Sequence, residues 1–299
     1  MGATSIDPMS QRGSEAPPAA GAESTQVKWP AICRRIVDAQ RALFEEVRGS
    51  AARTQYEGVG EGGDWSLVLD RRCEDVVFVE LEQLAEAGES FTAISEERGE
   101  VAFGEAGAPT RVVIDPIDGS LNVRRTIPSH SLSLAVASAD SMEAVEFGYV
   151  YDFGAGEEFA AQLGAGATLN GEPLHAEAPQ SDRPLEVVGI EAAKPERMGP
   201  VMEALADDVY RLRAVGSLAI TMAYVAAARF DGMLSLRPAR SVDVAAAQLI
   251  CREAGASVTF GDLELGEAAL GLAERYPVAA TCRPENLKTL REAQLRVPE

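Results

Sequence analysis

The chain has 299 residues, of which 46% are hydrophobic, so it is long enough to bury one large core or two smaller ones. Its formal net charge of −20 argues against nucleic acid and anionic membranes as partners, because both are themselves negatively charged. No apolar stretch approaches the ~20 residues that a membrane-spanning helix needs, and the first residues have no apolar signal core. The four cysteines have no paired spacing, so we expect reduced thiols in a cytoplasmic protein.

The N-terminal part of the chain predicts a tail, a helix and a loop. Residues 1–28 are rich in Gly, Ser, Ala, Pro and Glu without periodicity, which is typical of disorder. A helix is predicted to begin at Trp29-Pro30, because apolar residues follow with helical spacing as far as Val47. The glycine-rich segment over residues 56–64 predicts a loop.

Two acidic positions follow this loop. A second helix is predicted over residues 71–88, with Asp70 just before it. A short apolar strand over residues 91–94 leads into two adjacent acids, of which Glu96 is the first. If this strand and the next one, over residues 112–114, form a hairpin, both strand ends lie near one edge of a sheet. Antiparallel pairing alone does not bring Glu96 beside the acids of the next strand.

The rest of the chain alternates strands and helices. Residues 131–136 alternate with period two, which predicts a half-buried strand, and Asn170-Gly171 predicts a tight turn within a β-meander. Further strands are predicted over residues 144–151, 157–162, 185–190, 233–236, 257–260 and 278–281, and further helices over 197–206, 217–228, 242–254 and 285–295. This alternation predicts layered α and β structure.

The run VVIDPIDGSLN, residues 112–122, carries the strongest signal of chemistry. Its β-branched residues predict the end of a buried strand, and Pro116 is expected to turn the chain. Asp115 and Asp118 then lie on one tight turn, and carboxylate oxygens suit Mg²⁺. An acidic surface turn is the alternative interpretation. The spacing differs from that of haloacid-dehalogenase phosphatases, whose carboxylates lie two residues apart, so an aspartyl-phosphate is not expected here.

A second run, DVAAAQLICREAG over residues 243–255, begins a predicted helix. An isolated Asp in the first turn of a helix usually serves as a cap or a dipole partner. Here the small residues allow close packing of the helix, and the Asp243 carboxylate points from its end. The two runs and the Glu96-Glu97 pair, in this order, resemble the signatures of the inositol monophosphatase family, a branch of the lithium-sensitive, Mg²⁺-dependent phosphatases.

The resemblance covers the chain from about Ile32 onward and implies an α/β (α+β) fold, a layered αβαβα sandwich. It implies an N-terminal α+β subdomain over residues 29–183, which carries most metal ligands, and a C-terminal α/β subdomain over 184–299, which completes the active site. A disordered tail over residues 1–28 precedes both. The resemblance also implies a homodimer and two or three bound Mg²⁺ ions.

Site residues follow from the resemblance position by position. The implied metal ligands are Glu96, Asp115, the carbonyl oxygen of Ile117, Asp118 and Asp243. The implied catalytic residues are Asp70, Glu96 and Ser120, which would orient the attacking water; Ser120 stands in place of the family's threonine. The implied substrate contacts are Gly119, Ser120, Gly216, Ser217, Arg237 and Arg240. Such carboxylates hold two metal ions that activate water and stabilise the leaving oxygen, so no covalent phospho-enzyme is needed.

The residues before Asp243 bear on the substrate. Leu236 stands where inositol-specific members have a Glu that contacts a substrate hydroxyl, which argues against strict inositol specificity. Arg237 and Arg240 are instead suited to a second anionic group, although two surface charges are the alternative interpretation. The segment resembles prokaryotic members that accept inositol phosphate and fructose 1,6-bisphosphate. The predicted function is therefore Mg²⁺-dependent hydrolysis of a small polyol or sugar phosphate monoester.

Two other functions stay open. The first is removal of the 3′-phosphate from adenosine 3′,5′-bisphosphate, which requires base stacking, and no aromatic cluster lies near the pocket motifs. The second is a catalytically inactive sensor of sugar phosphate or metal, against which the complete set of metal acids argues. His130 and His175 match neither a general base nor a metal ligand, so we expect loop or packing roles for both.

Overall fold

The computed structural model describes residue 1 and residues 29–47, 52–54, 56–59, 61, 65–178 and 183–298. The tail predicted over residues 1–28 lies, apart from Met1, outside the described residues. The helices are α1 (Trp29–Glu46), α2 (Val68–Glu86), α3 (Ser120–Arg125), α4 (Pro195–Leu205), α5 (Leu218–Ala226), α6 (Ser241–Glu253) and α7 (Leu287–Gln294). None of these helices has the length and apolar character that crossing a membrane requires.

The strands are short and numerous. They are β1 (Tyr56–Val59), β2 (Trp65–Leu67), β3 (Phe91–Ser95), β4 (Gly99–Phe103), β5 (Arg111–Asp118), β6 (Ser131–Ala137), β7 (Val145–Asp152), β8 (Glu157–Gln162), β9 (Gly166–Leu169), β10 (Glu172–Leu174), β11 (Leu185–Glu191), β12 (Val209–Arg213), β13 (Gly232–Ser235), β14 (Ala239–Arg240), β15 (Ser257–Phe260), β16 (Arg275–Tyr276) and β17 (Val278–Thr281). β1 with β2, and β14 with β16, form two-stranded ribbons.

The other strands form two sheets in a five-layered arrangement. The larger sheet has the order β10-β9-β8-β7-β6-β5-β3-β4, and the smaller has the order β12-β11-β13-β17-β15. Helices α1 and α2 cover one face of the larger sheet, α5 and α6 lie between the sheets, and α4 and α7 cover the smaller sheet. The layers therefore alternate αβαβα, which confirms the predicted fold class. The predicted division at residues 183/184 falls between the two sheets and stays a prediction.

The strand predicted over residues 131–136 exists as β6, but the prediction that it is half-buried is wrong. All seven residues of β6 are buried. Leu132 and Leu134 contribute to the core beneath α1 and α2, whereas Ala135 contributes to the core shared with α5 and α6. Helices cover both faces of this sheet, so both faces of β6 are buried. The period-two pattern of β6 therefore separates large from small residues and does not separate buried from exposed ones.

The alanine-rich helix α6 lies very close to β7. Every residue from Ser241 to Cys251 is buried. A Cβ atom added to Gly148 would lie 2.5 Å from the carbonyl oxygen of Ala246, so this approach requires glycine on the strand. The close packing that we predicted from the small residues is confirmed, and it fixes the N-terminal end of α6 beside β5.

The hairpin considered between the strand at 91–94 and the next strand does not form. β3 pairs antiparallel with β4, a strand that the sequence analysis does not predict, and β5 pairs with β3 in parallel. Ser95 lies opposite Ile114 in this pairing. Because parallel strands run toward the same edge of a sheet, Glu96, which follows β3, and Asp115, near the end of β5, lie side by side.

Three local boundaries also differ from prediction. β5 continues through Pro116 to its end at Asp118, and its pairing with β6 shifts between Asp115 and Asp118, so a bulge replaces the expected turn. α2 begins at Val68, which places Asp70 inside its first turn. The glycine-rich segment contains β1; residues 60 and 62–64 lie outside the described residues.

The predicted turn at Asn170-Gly171 is confirmed, with φ of +53° and +84° at the two residues. His130 packs between aromatic rings; the centroid of its ring lies 5.1 Å from that of Phe44 and 5.4 Å from that of Phe153. Burial lowers the pKa of His130 to about 4, which keeps the ring neutral. His175 is exposed. Neither side chain lines the cavities described below.

Candidate active site

Three carboxylates converge at the edge of the larger sheet. Glu96 comes from the turn after β3, Asp115 from β5, and Asp243 from the first turn of α6. One carboxylate oxygen of each residue lies within 4.8 Å of the other two. We call Glu96, Asp115 and Asp243 the acid cluster. A site made of carboxylate oxygens suits a hard divalent cation.

The surroundings of the acid cluster disfavour negative charge. Burial, with the charges of Glu96 and Asp118, raises the pKa of Asp115 well above its ordinary value. Burial also raises the pKa of Glu96 to about 7, although Arg240 opposes the shift. Buried carboxylates this close together require positive charge to stay ionised. The acid cluster therefore fits the metal site that the sequence predicts.

Arg240 brings one positive charge into the acid cluster. Its Nε and Nη2 atoms lie 2.9–3.3 Å from the carboxylate oxygens of Asp243, and its Nη1 donates to Glu96. Its backbone N–H also donates to Asp243 Oδ2, at 2.9 Å. Burial lowers the pKa of Arg240, but Asp243 and Glu96 outweigh that effect and hold the pKa above its ordinary value.

Asp118 faces helix α5. Its Oδ2 accepts hydrogen bonds from the Ser217 hydroxyl at 2.6 Å and from the Ala219 N–H at 2.7 Å. Ser217 is buried behind Asp118, where it also caps α5 by accepting from the N–H of Ile220. Burial, with the charge of Asp243, raises the pKa of Asp118 to about 6.

Two adjoining cavities, of about 520 and 480 Å³, open beside these acids. Residues that line both are Asp118, Leu121, Gly216, Arg237 and Arg240. The larger is also lined by Leu67, Asp70, Glu96, Glu97, Asp115, Ile117, Gly119, Ser120 and Arg124. The smaller adds Asp243, Glu191 and Lys194, among others. Of the site residues predicted from the sequence, all except Ser217 line at least one of these cavities.

Asp70 and Ser120 line the larger cavity from two helices. The Leu67 N–H donates to Asp70 Oδ2 at 3.3 Å, whereas Asp70 Oδ1 is buried and has no hydrogen-bond partner among the described residues. Burial raises the pKa of Asp70 to about 7. The Ser120 hydroxyl donates to the carbonyl oxygen of Ile117 at 3.1 Å. Asp70 thus lies in the wall of the larger cavity and has one oxygen that accepts no hydrogen bond from the described residues.

Gly119, which follows β5, and Gly216, which precedes α5, lie against each other in the site. Their φ angles are +97° and +83°, a region that side chains disfavour. A Cβ on Gly119 would lie 3.1 Å from the carbonyl oxygen of Gly216, and a Cβ on Gly216 would lie 2.7 Å from Asn122 Nδ2. The Asn122 amide donates to the carbonyl of Val215 at 2.9 Å, which joins the two loops.

Comparison with known proteins agrees with this geometry. The model of the inositol monophosphatase family matches residues 32–297. The chain belongs to the inositol monophosphatase family. It is therefore a phosphatase, and the family is metal-dependent.

Relatives of the same family span most of the chain. The fructose-1,6-bisphosphatase/inositol-1-monophosphatase of Thermococcus kodakarensis is 32% identical over 274 residues, which cover 91% of this chain and 100% of that protein. The inositol-1-monophosphatase of Mesorhizobium japonicum is 32% identical over 70% of this chain and 76% of its own length. A crystal structure of an inositol monophosphatase–fructose 1,6-bisphosphatase aligns with a TM-score of 0.76 at 26% identity, covering 89% of this chain and 100% of that one.

Glu191 is a residue of this inositol monophosphatase-family site that the sequence analysis missed. It ends β11 and accepts hydrogen bonds from the N–H groups of Val215 and Gly216, at 3.1 and 3.0 Å, and from the Thr221 hydroxyl at 2.6 Å. Burial raises the pKa of Glu191 to about 7. Glu191 therefore holds the loop that places Ser217 against Asp118. An acid directly after an apolar strand was the available signal, as it was for Glu96.

Glu74 plays the matching part on the other side of the site. It is fully buried in α2 and accepts from the Ser95 hydroxyl and from the N–H groups of Glu97 and Arg98, at 3.3 and 3.1 Å. Arg98 Nε lies 3.3 Å from its second oxygen. Glu74 therefore holds the β3–β4 turn that presents Glu96.

Proposed function

We propose that this phosphatase hydrolyses a small polyol or sugar phosphate monoester, inositol monophosphate or fructose 1,6-bisphosphate or both, with Mg²⁺ as its metal. The observation that carries the proposal is the convergence of Glu96, Asp115 and Asp243 where two adjoining cavities of about 520 and 480 Å³ open. Cavities of this size enclose small ligands. The relatives described above, named for both activities, support the choice of substrates.

The proposed ligands of Mg²⁺, two or three ions in number, are carboxylate and carbonyl oxygens. They are Glu96, Asp115, the carbonyl oxygen of Ile117, Asp118 and Asp243. Bound Mg²⁺ supplies Lewis-acid chemistry, which lowers the pKa of water and neutralises charge on the phosphate. Ser217 and Ala219 orient Asp118 by hydrogen bonds of 2.6 and 2.7 Å.

Residues of the chain position the other reacting groups. Asp70 accepts a hydrogen bond from the attacking water through its Oδ1, and Ser120 and Glu96 help to orient that water. The backbone N–H groups of Gly119 and Ser120 donate to phosphate oxygens from the wall of the larger cavity. Gly216 lines both cavities, and Glu191 keeps it in place.

The smaller cavity favours a substrate with a second anionic group. Arg237 and Arg240 line both cavities, and Lys194 lines the smaller one, so three basic side chains, beside the acids Asp118, Glu191 and Asp243, line the space beyond the reacting phosphate. Leu236 is only 2% exposed, so this position offers no acceptor to an inositol hydroxyl. Both features support acceptance of fructose 1,6-bisphosphate beside inositol monophosphate.

The same cavities disfavour the nucleotide alternative. Among the described residues that line them, none is aromatic, so these side chains offer no ring on which the base of adenosine 3′,5′-bisphosphate would stack. A catalytically inactive sensor needs no buried acceptor such as Asp70 Oδ1 beside its metal ligands.

We further propose a homodimer in the cytoplasm that binds neither nucleic acid nor membrane. Family membership supports the dimer, and the net charge of −20 supports the absence of polyanionic partners. Light scattering after size-exclusion chromatography tests the dimer, and a monomeric mass would contradict it.

Phosphate release from three esters tests the function. Inositol 1-phosphate, fructose 1,6-bisphosphate and adenosine 3′,5′-bisphosphate are each incubated with the enzyme in Mg²⁺ or in excess chelator. We expect Mg²⁺-dependent release from the first two. Release from the nucleotide alone would assign the chain to the 3′-phosphatases. Absence of release, with Mg²⁺ still bound, would support the sensor.

A further inference from the structure

We propose that Arg240 is an internal counter-ion of the acid cluster, which Mg²⁺ has to displace, so that this arginine lowers the affinity of the protein for metal. The inference rests on the proposed Mg²⁺ site and deepens it. It assigns to Arg240 a role in metal exchange, distinct from the substrate contact predicted from the sequence.

The contacts of Arg240 overlap with those that a metal needs. Its guanidinium hydrogen-bonds both oxygens of Asp243 and Oε1 of Glu96, and these residues are two of the three in the acid cluster. Arg240 is only 8% exposed, so water screens its charge weakly. A divalent cation on the same carboxylates would lie beside the guanidinium, and the two positive charges would repel.

Arginine cannot relieve this repulsion by losing a proton, because its guanidinium stays charged in proteins. The side chain therefore has to leave Glu96 and Asp243 when metal binds. Arg240 borders both cavities, so space for this movement lies next to it.

The backbone around Arg240 allows the movement without loss of the site. The N–H of Arg240 donates to Asp243 Oδ2 at 2.9 Å, independently of the side chain. Asp243 thus stays anchored in the first turn of α6 when the guanidinium departs. The counter-ion also limits repulsion among the three acids before metal binds, which stabilises the metal-free protein.

Isothermal titration with Mg²⁺ of the chelator-treated, dialysed protein tests the inference. For Arg240→Gln we expect a dissociation constant for Mg²⁺ about tenfold lower than that of the parent. In this variant no guanidinium has to leave the carboxylates before Mg²⁺ binds. Without Mg²⁺, Arg240→Gln is expected to melt at a lower temperature than the parent and to gain more from added Mg²⁺. Arg237→Gln is the matched control, because it removes an exposed arginine of the same cavities; its Mg²⁺ affinity should change less than twofold.

An unchanged or weaker Mg²⁺ affinity in Arg240→Gln would overturn the inference. If that variant fails to fold without metal, Arg240→Lys supplies a positive charge to the metal-free protein but can lose its proton when Mg²⁺ binds, so it should still bind Mg²⁺ more tightly than the parent. Equal or weaker binding would overturn the inference too. The proposed function fails separately. If Arg240→Gln binds Mg²⁺ more tightly but the parent hydrolyses none of the three esters, the counter-ion role of Arg240 stands and the proposed hydrolysis is rejected.

Discussion

Two groups of acids lie at the two cavities or behind their walls, and they differ in their partners. Glu74 and Glu191 each accept hydrogen bonds from two backbone N–H groups and a hydroxyl. In the acid cluster, Glu96 accepts a hydrogen bond from the Arg240 guanidinium. One carboxylate oxygen each of Glu96, Asp115 and Asp243 lies within 4.8 Å of the other two. All five residues are acids, and all except the half-buried Glu96 are buried.

The comparison shows how a buried acid acquires a role. A carboxylate that accepts hydrogen bonds from several groups of one loop fixes the conformation of that loop. Carboxylates that face one another repel, and they attract a cation. The first group therefore shapes the site, and the second group supplies its charge.

The largest effect is expected from Asp115→Asn, which removes the central member of the acid cluster. The kcat/KM for inositol 1-phosphate in Mg²⁺ should fall at least about 1,000-fold, because a lost metal ligand costs several kcal/mol of transition-state stabilisation. In chelator the variant should melt no lower than the parent, because it carries one repelling charge fewer. Asp262→Asn is the control, since that side chain is 95% exposed. Turnover equal to that of the parent would reject the acid cluster as the reaction centre.

Glu191→Ala tests the loop-holding group. It leaves the N–H groups of Val215 and Gly216 and the Thr221 hydroxyl without this acceptor, so the free energy of unfolding should fall by about 2 kcal/mol. We expect phosphatase activity to fall about tenfold while the dissociation constant for Mg²⁺ changes less than threefold. Denaturant unfolding, enzyme assay and titration measure the three quantities. Thr221→Val, which removes one donor only, should have a smaller effect on activity. Loss of Mg²⁺ binding in Glu191→Ala would erase the distinction between the groups.

The pH dependence of stability sharpens the same distinction. The pKa of Glu191 is raised from 4.5 to about 7, so the folded state holds its proton more tightly than the unfolded state does. Its contribution to stability is therefore complete below pH 4.5 and is lost as pH rises through 7. In chelator, the unfolding free energy of Glu191→Gln should decline less steeply than that of the parent between pH 5 and 8, by about 1 kcal/mol per pH unit. Parallel curves for the two proteins would contradict this assignment.

The smallest effect is expected from Arg237→Gln, which changes a residue in the wall of both cavities and leaves both groups of acids intact. We expect the KM for fructose 1,6-bisphosphate to rise about threefold, as for loss of an exposed ion pair, with little change for inositol 1-phosphate. Arg183→Gln provides a control, because Arg183 stacks on Tyr210 and lines neither cavity. Equal changes for both substrates would remove the argument for a second anionic site.

Local patterns predicted much of this fold and site. The strand into Asp115, the helix begun near Asp243 and the Asn170-Gly171 turn are encoded by neighbouring residues, and each is present. The cavity-lining positions came from the resemblance of short motifs to the signatures of the family. Such signals survive without knowledge of the partner elements, because strand and turn preferences act over a few residues.

Where prediction failed, the missing information was the partner. β4 is a short edge strand that the sequence analysis did not predict, so the pairing of β3 with β5 was left open. The hydrogen bond from the Ser217 hydroxyl to Asp118 joins residues that are far apart in the chain. The role of Glu191 depends on a loop that begins more than twenty residues later in the chain.

The sequence by itself therefore determined the fold class, the order of the acidic motifs and the oxygen character of the site. Only the tertiary structure decided which acids converge, which are satisfied by backbone donors, and where Arg240 lies. The physical reason is that a carboxylate's behaviour follows from desolvation and from the charges and donors within a few ångströms. Parallel pairing of β3 with β5 and the close packing of α6 on β7 bring those groups together from distant parts of the chain.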